Sequence, residues 1–389
     1  MRLLAGLAFC SVVFGASPLV VVSPLVVVSI DGLDNRYLTD ADKLGLKTPN
    51  IRKLVREGQA SQGVIGSVPT VTWPSHITMI TGVDPVKHGI LSNWRPPGEK
   101  YLEYSQIQVP TLLGAAHKAG LQTASVNWPT TVGAPAIDWN LPEVFAKRRG
   151  GFMDLKSIEA KAKPSNLVKQ IAAAYPSFAT EWMDDRTRTQ AVVWLLKNAK
   201  LGLLLVHLVD LDSEQHDNAP FSRESIAELE YLDSLVGEMM AAVPKGGALA
   251  LVSDHGFERV DRIANPKAGA PNAVQSPGLV IAPDEATAVS LRKQDGVGRE
   301  VPLAEYASFP SNLPAKPAAV FEPAPGVMFG AKAGPAEEIG NHGHWPTRYR
   351  SVYVLWGAGV RHESLPELRL TELAARLGAV LGLAFQPAR

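Results

Sequence analysis

Carboxylate and imidazole side chains follow three apolar runs of this sequence, at the points where predicted strands end. They are Asp31 after residues 25–30, Asp212 and His216 after residues 203–209, and Asp254 and His255 after residues 248–253. Such side chains are the ligands that zinc prefers when no thiolate is present. Each residue alone also fits an ordinary turn or the start of a solvated helix. Their joint occurrence at strand ends predicts a metal cluster.

A second candidate for chemistry is Thr72, at the start of a predicted helix. Pro74 suits the first turn of that helix, and Gly82 suits its C-terminal end. A hydroxyl at this point faces free backbone N–H groups, which form an anion site suited to phosphate. The alternative interpretation is that Thr72 only caps the helix.

The elements that position these residues are four apolar runs and the helices between them. The fourth run, residues 352–356, leads into Gly357. Runs of Val and Leu without alternation are typical of strands buried on both faces. We therefore expect an α/β fold with a mostly parallel central sheet covered by helices on both faces. Residues 222–242 predict one such helix, with its apolar residues on a single stripe. In open sheets of this kind, functional sites gather at the carboxyl ends of the strands.

Composition narrows the class of protein. Of the 389 residues, 46% are hydrophobic and 20% are charged, which excludes disordered and collagen-like chains. Lys and Arg total 38, as do Asp and Glu, so no bulk charge favours polymeric nucleic acid or an anionic membrane. The single cysteine, Cys10, excludes an internal disulfide and a cysteine-based zinc site.

The N-terminal segment predicts export. Residues 3–14 have the length of the apolar core of a signal peptide, and residues 15–17 are small, as cleavage requires. We therefore expect a signal peptide over residues 1–17 and a periplasmic or secreted protein with no other membrane contact. The alternatives are an uncleaved anchor and a buried cytosolic segment. Pro18 and Pro24 interrupt the apolar run and argue against a single membrane-spanning helix.

Six motifs, taken together and in order, resemble the alkaline phosphatase superfamily. They are Val-Ser-Ile-Asp-Gly (28–32), Pro-Thr-Val-Thr-Trp-Pro-Ser-His (69–76), Thr-Gly-Val-Asp-Pro-Val-Lys-His-Gly-Ile-Leu-Ser-Asn (81–93), Asp-Ser-Glu-Gln-His (212–216), Ser-Asp-His-Gly-Phe (253–257) and Gly-Asn-His-Gly (340–343). Within the superfamily they are similar to the type I phosphodiesterase/nucleotide pyrophosphatase family, over about residues 25–360. The ordered set is specific, unlike any single motif.

The resemblance implies a catalytic core with two zinc ions bridged by the substrate phosphate. It assigns Asp31, Asp254 and His255 to one ion, with Thr72 as the fourth ligand and the nucleophile, and Asp212, His216 and His342 to the other. Asn93 matches the family asparagine whose amide contacts a phosphoryl oxygen. Two metals about 4 Å apart can stabilise both the attacking and the leaving oxygen of an in-line displacement, here through a phosphothreonine-type intermediate.

Other histidines are interpreted differently. The family usually has an aromatic residue where this chain has His344, which we expect to be exposed or packed rather than in contact with the site. The remaining histidines are interpreted as structural: His76, His88, His117, His207 and His362.

Two stretches are predicted to be cap insertions in a catalytic domain that spans residues 18–389. Residues 257–339, rich in Pro, Ala and Gly, separate two ligand clusters that must meet. This cap segment must therefore leave the core and return over the cleft. Residues of about 134–185 form a second excursion with several aromatics, for which core packing of a helical insertion is favoured over stacking on a base.

The sequence therefore predicts a two-zinc hydrolase acting on a small-molecule phosphate diester or a nucleotide pyrophosphate bond. One alternative is a phosphomonoesterase or phosphonate hydrolase on the same core, and another is a catalytically silent protein that binds phosphate ligands. Diesters are favoured because residues 127–130 include no Lys or Arg to neutralise a monoester dianion. Arg95 is the residue most at odds with this preference. The sequence does not specify an oligomeric state.

Overall fold

The computed structural model describes residues 23–95, 98–144, 155–178 and 183–388. The predicted signal peptide, residues 1–17, lies outside these ranges. Within them, no helix is both long enough and apolar enough to cross a membrane.

Short strands and helices alternate along the described residues. The strands are β1 Leu25–Ile30, β2 Gln59–Ser61, β3 Val64–Ile65, β4 Trp94–Arg95, β5 Glu99–Lys100, β6 Gln122–Val126, β7 Trp139–Leu141, β8 Leu201–Leu208, β9 Ala248–Val252, β10 Glu258–Ala264, β11 Val274–Ser276, β12 Leu279–Ala282, β13 Val297–Glu300, β14 Ala319–Pro323, β15 Gly326–Phe329, β16 Gly334–Pro335, β17 Gly340–Asn341, β18 Tyr353–Gly357, β19 Glu363–Leu365 and β20 Leu368–Arg369. The α-helices are α1 Arg36–Thr39, α2 Pro49–Glu57, α3 Thr72–Thr81, α4 Pro85–His88, α5 Leu112–Lys118, α6 Leu155–Lys161, α7 Leu167–Ala174, α8 Asp185–Asn198, α9 Asp210–Asn218, α10 Arg223–Ala242, α11 Glu285–Leu291, α12 Leu303–Ala307 and α13 Leu373–Val380.

The central sheet positions the candidate site. In the described part of the chain it has eight strands, in the order β19-β2-β18-β9-β1-β8-β6-β7. Strands β9, β1, β8 and β6 run parallel, whereas β18 runs antiparallel to β9 and to β2. Every residue of β1, β8 and β9 is buried, as expected for strands covered on both faces. The mostly parallel sheet predicted from the sequence is confirmed.

Helices cover both faces of this sheet. Val26 and Val28 of β1 enter one apolar cluster with residues of α10, and Leu25 and Val27 enter a second cluster with residues of α3 and α13. Alternate side chains of one strand therefore join opposite halves of the core. The side chain of Ser222 caps α10, where the sequence predicts that this helix begins.

The described part of residues 134–185 is packed into the main domain. Strand β7 pairs in parallel with β6 at the edge of the central sheet. Helices α6 and α7 bury apolar residues such as Leu155 and Ile158 in the same cluster as α10. The ring of Trp139 packs against that of Trp194, with centroids 6.1 Å apart. The apolar side chains of these described residues therefore cover one face of the sheet.

The cap segment, residues 257–339, forms small sheets outside the central one. Strand β10 pairs with β15, β16 and β17, while β12 and β14 lie between β11 and β13. Its apolar residues contribute to two further clusters, separate from the two that cover the central sheet. Because Glu258 of β10 pairs with Asn341 of β17, the two ends of the segment meet. This pairing brings His342 back towards His255.

Candidate metal centre

Asp31, Asp254 and His255 meet at the carboxyl ends of two neighbouring strands. Asp31 follows β1 and the other two follow β9, and these strands pair in parallel. One possible ligand atom from each residue lies within 4.8 Å of the others. All three residues are buried. The structure thus brings together the first predicted ligand set, hereafter the first group.

Asp212, His216 and His342 form a second group. Asp212 and His216 lie one turn apart on α9, so their side chains occupy the same side of the helix. His342 directly follows β17. Ligand atoms of these three residues also lie within 4.8 Å of one another. His342 is buried, whereas the other two are partly exposed.

The two groups touch each other. The imidazole rings of His255 and His342 stack, with centroids 3.7 Å apart and an angle of 8° between their planes. Within the first group, Nε2 of His255 lies 3.3 Å from Oδ1 of Asp31. Within the second, Nε2 of His342 lies 3.8 Å from Oδ1 of Asp212. The six side chains therefore form one continuous centre.

Hydrogen bonds to the protein occupy one atom of most of these side chains and leave another atom free. Oδ2 of Asp31 is hydrogen bonded to His207, and Oδ1 of Asp254 to the N–H of Gly32. Nδ1 of His216 is hydrogen bonded to the carbonyl of Gly340, and Nδ1 of His342 to the carbonyl of Thr70. Buried atoms without a hydrogen-bond partner among the described residues include Asp31 Oδ1, Asp254 Oδ2, His255 Nε2 and Asp212 Oδ1. Because such atoms are costly to leave unpaired, the donor set fits divalent cations.

The charges of the centre fit a cation as well. Burial, followed by the carboxylates of Asp212 and Asp254, raises the pKa of Asp31 well above its ordinary value. Burial also raises the pKa of Asp254 to about 8. Burial, and then the ring of His342, holds the pKa of His255 well below its ordinary value. A bound cation would favour the ionised carboxylates and the neutral imidazoles together.

Thr72 is the first residue of α3, and its side chain does not cap that helix. The N-cap is Val71, which makes no side-chain cap hydrogen bond, so the alternative interpretation of Thr72 as a cap is wrong. Gly82 ends the helix in the left-handed conformation, with φ of 71°. Nδ1 of His76 lies 2.7 Å from the carbonyl oxygen of Thr72 and 3.6 Å from Oδ2 of Asp254. His76 therefore connects the backbone of Thr72 to Asp254 of the first group.

Asn93 lies at the N-terminus of α3. Its Oδ1 accepts a hydrogen bond of 2.9 Å from the backbone N–H of Trp73. This bond orients the amide and leaves its NH2 group as a donor. Because Trp73 directly follows Thr72, the amide is held beside the predicted nucleophile.

His207, which the sequence indicates only as a structural histidine, contacts the first group directly. Its Nε2 lies 2.8 Å from Oδ2 of Asp31, and both residues are buried. Burial holds the pKa of His207 well below its ordinary value, so its ring is neutral, and the tautomer protonated at Nε2 is the one that donates to an ionised Asp31. In the pairing of β8 with β1, His207 lies opposite Ser29, which is two residues before Asp31. A lone polar side chain in an apolar strand was the signal in the sequence.

Lys100 is a second residue that the sequence interpretation missed. It lies on β5, which pairs with the strand directly after Asn93. Its Nζ is 5.1 Å from the ring centroid of Trp73 and 5.0 Å from that of Trp94. Burial lowers the pKa of Lys100, and the opposing influences are the carboxylates of Glu143, Asp31 and Asp212. Lys100 therefore places an amine over the ring of Trp73, the residue that directly follows Thr72.

Two residues left open by the sequence have defined places. Arg95 forms an ion pair with Glu99 on the facing strand of the same hairpin. His344 is 2% exposed, and its ring lies edge-on to that of Tyr349 at a centroid distance of 6.1 Å. The hydroxyl of Thr70 donates a 2.6 Å hydrogen bond to the carbonyl of His344. Of the two placements expected for His344, the packed one is observed.

Solved structures of known proteins share this architecture. Murine ectonucleotide pyrophosphatase/phosphodiesterase 5 superimposes with a TM-score of 0.68 at 16% identity, covering 94% of this chain and 97% of that chain. An inactive variant of the murine protein in complex with AMP also superimposes with a TM-score of 0.68. The central sheet, with its ligand cluster at the carboxyl edge, thus defines an alkaline phosphatase-like fold.

Sequence comparison specifies the family. The model of the type I phosphodiesterase/nucleotide pyrophosphatase family matches residues 25–345, and the chain belongs to this family, as its motifs predict. One relative is a venom phosphodiesterase from Macrovipera lebetinus, 26% identical over 245 residues. Another is ectonucleotide pyrophosphatase/phosphodiesterase family member 3 from Rattus norvegicus, 24% identical over 258 residues. These alignments cover 61% and 62% of this chain, and the chain spans 26% of the length of each relative.

Proposed function

We propose that this chain is a two-zinc hydrolase of phosphodiester or nucleotide pyrophosphate bonds, with Thr72 as the nucleophile. The observation that carries the proposal is that two three-residue groups of candidate metal ligands meet at the stacked rings of His255 and His342. His76 connects the backbone of Thr72 to the first of these groups. Membership of the family supports the class of reaction. The fold also supports the proposal, because the first group lies at strand ends and the chain, on returning from the cap segment, brings His342 to the second group.

The residues divide into two ligand sets. Asp31, Asp254, His255 and Thr72 would hold one ion, and Asp212, His216 and His342 would hold the other. Burial lowers the pKa of His342 to about 4, which keeps its imidazole neutral, as a metal ligand must be. When bound, the two ions stabilise charge on the attacking and leaving oxygens of an in-line displacement.

The reaction has two displacements at phosphorus. In the first, Oγ of Thr72 bonds to phosphorus while the bond to the leaving oxygen breaks, and the hydroxyl proton passes to solvent. The phosphoryl group then remains on Thr72 as a covalent ester. In the second, a water molecule attacks the same phosphorus, and Oγ of Thr72 departs and regains a proton. Each step transfers a phosphoryl group, so no oxidant or reductant is needed.

Asn93 and Lys100 hold the phosphoryl group. Negative charge on its non-bridging oxygens is retained as phosphorus is transferred, so donors fixed beforehand lower the barrier. The NH2 group of Asn93 is such a donor, because the N–H of Trp73 fixes the amide. Lys100 adds a positive charge from the neighbouring hairpin.

The substrate we propose is a small nucleotide-like molecule. AMP is the ligand in the solved complex of the murine relative's inactive variant. In this chain Trp94 follows Asn93 directly and is 56% exposed, so its ring offers a stacking face for a base or an aryl group. We also propose that the chain acts outside the cytoplasm, as residues 1–17 predict.

One observation favours a second candidate, a phosphomonoesterase. A monoester dianion carries one more charged oxygen than a diester and needs a further cationic partner. Lys100 is a cation near the centre that could serve this need, although residues 127–130 contain none.

Hydrolysis of p-nitrophenyl thymidine monophosphate and of p-nitrophenyl phosphate, with and without chelator, tests these proposals. The expected result is a kcat/KM advantage of about 10²-fold for the diester, with both activities lost on chelation and restored by zinc. Equal or faster hydrolysis of the monoester would select the second candidate. Hydrolysis of neither compound by the zinc-loaded protein would leave a phosphate-binding protein without catalysis.

A further inference from the structure

Gln215 is a buried amide between the two helical ligands of the second group. It lies on α9, one residue before His216 and three after Asp212. Asp212 and His216 are partly exposed, but Gln215 is 0% exposed and points into the protein with Leu211. Its side chain therefore faces the core and is not one of the proposed metal ligands.

Both ends of this amide are hydrogen bonded. Nε2 donates to the carbonyl oxygen of Gly32 at 3.0 Å, and Oε1 accepts from the hydroxyl of Tyr37 at 3.0 Å. The Tyr37 oxygen in turn accepts a 2.8 Å hydrogen bond from the backbone N–H of Phe221, just beyond α9. Reversing the amide would set its oxygen against the carbonyl oxygen of Gly32 and lose that bond, so its orientation is fixed.

Gly32 connects this amide to the first group. It directly follows Asp31, and its N–H donates a 3.1 Å hydrogen bond to Oδ1 of Asp254. Its φ of +68° and the closeness of Gln215 both require glycine, since a Cβ there would lie 2.9 Å from Nε2 of Gln215. Gly32 thus adjoins Asp31, donates to Asp254 and accepts from the helix that carries two proposed ligands of the second group.

We propose that Gln215 is a positioning residue that couples the two metal groups through Gly32. This inference rests on the two-ion centre proposed above. Binding of an ion by Asp31 and Asp254 fixes the loop at Gly32, and Gln215 then holds α9 at the distance at which Asp212 and His216 bind the second ion. Without the amide, the first group remains on its two paired strands, while the second loses its fixed spacing.

Zinc binding to the metal-free protein, measured by calorimetry, tests the coupling without relying on turnover. Gln215→Met keeps the length of the side chain and removes its donor and acceptor. We expect the affinity for the second ion to fall at least about tenfold, with the first affinity within about threefold of the wild type. In the cobalt-loaded variant, the magnetic coupling between the two ions should weaken as their separation becomes variable.

Two further variants keep the test decisive if Gln215→Met folds poorly. Tyr37→Phe removes the hydroxyl that orients the amide and should shift the second affinity in the same direction by a smaller factor. Gln190→Met is the matched control, because Gln190 is a buried glutamine whose Nε2 donates to Ser177 at 3.0 Å, on a helix outside both groups. It should leave both affinities unchanged.

Unchanged second-ion affinity in both Gln215→Met and Tyr37→Phe would overturn the inference. An equal fall in both affinities would also overturn it, because that result indicates general loosening of the fold. A wild-type protein that binds only one ion would instead refute the two-ion centre itself, and the inference with it.

Discussion

The first group of candidate ligands is buried at the ends of two paired strands, whereas the second is partly exposed and lies on a helix and just beyond the cap segment. Asp31, Asp254 and His255 are at most 1% exposed. In the second group, the side chains of Asp212 and His216 are 14% and 21% exposed. The two groups contain the same kinds of ligand but have different supports.

This difference in burial and packing determines how much of the proposed centre is in place before a metal binds. Strands β1 and β9 are paired along their length within the sheet, so the first group has little freedom. The second group depends on the packing of α9 and on the pairing of β10 with β17 at two positions. Elements with fewer buried contacts open more readily. We therefore expect the first group to bind its ion more tightly than the second.

Metal removal has the largest expected effect and tests this inequality directly. Graded dialysis against a chelator should abolish hydrolysis completely, and the ion of the more exposed second group should leave first. Metal analysis should pass from two ions per chain to one and then to none. In His216→Ala, only the tightly held ion should remain. Simultaneous loss of both ions would refute the inequality, and activity indifferent to chelation would refute the metal centre.

Replacement of the nucleophile should separate catalysis from metal binding. Thr72→Ala should lower kcat by at least about 10³-fold, because the covalent route is lost. Both ions should remain, since the six carboxylate and imidazole ligands are untouched. Thr72→Ser, which keeps a hydroxyl, is the matched control and should retain far more activity. Near-normal turnover by the alanine variant would contradict the assignment of Thr72.

The hydrogen bond from His207 to Asp31 should support only the first group. His207→Leu should weaken binding of the tightly held ion by about 10–100-fold and leave the second affinity nearly unchanged, because only Asp31 loses its partner. His207→Gln, whose amide can donate from a similar position, should recover part of the loss. His88→Leu controls for the removal of a buried histidine that belongs to neither group. Equal weakening by both leucine variants would indicate a general packing defect.

Lys100, on the hairpin that follows Asn93, should affect the hydrolysis of substrate without affecting metal binding. Lys100→Ala should reduce kcat/KM by about tenfold, the scale of one hydrogen bond to a charged group, and should slow monoesters more than diesters. Arg95→Ala is the matched control, since Arg95 is on the same hairpin but is paired with Glu99. Similar losses of kcat/KM in both variants would show that destabilisation of the hairpin is responsible. A direct contact of Lys100 with substrate would then be rejected.

The proximity of the proposed ligands could be predicted from sequence more readily than the contacts that hold them in place. Asp31 and Asp254 directly follow apolar runs, and the carboxyl ends of adjacent parallel strands must meet. The role of His207 depends on the register of β8 against β1, and that of Lys100 on a short hairpin. A single sequence shows neither. Strands of two to five residues in the cap segment, such as β16, are too short to produce a periodic pattern.

The smallest expected effect is that of a substitution in the cap segment, which tests whether this segment holds the second group in place. Oε1 of Glu305 accepts hydrogen bonds from Trp345 and Thr347, both at 2.7 Å, and Arg299 donates to its two oxygens at 3.0 and 3.1 Å. These contacts join α12 to the chain just beyond His342. Arg299 is the largest of the influences that lower the pKa of Glu305 from its ordinary 4.5 to about 2.

Because the pKa is lower in the folded state, the ionised Glu305 contributes its full stability above about pH 4.5 and loses it as the pH falls towards about 2. Glu305→Gln should therefore lower the free energy of unfolding by about 1 kcal/mol at pH 7, with a difference from the wild type that narrows below about pH 4.5. Calorimetric unfolding of metal-free protein measures this difference, and zinc titration should show a second-ion affinity reduced a few-fold with the first unchanged. Glu285→Gln, which removes an exposed partner of Arg292 within the same segment, should have little effect on either quantity.

A difference in the free energy of unfolding that stays constant down to about pH 3 would show that the charge of Glu305 is not the cause. An unchanged second affinity would show that the second group stands without the cap segment, and the contrast between the two groups would then rest on α9 alone.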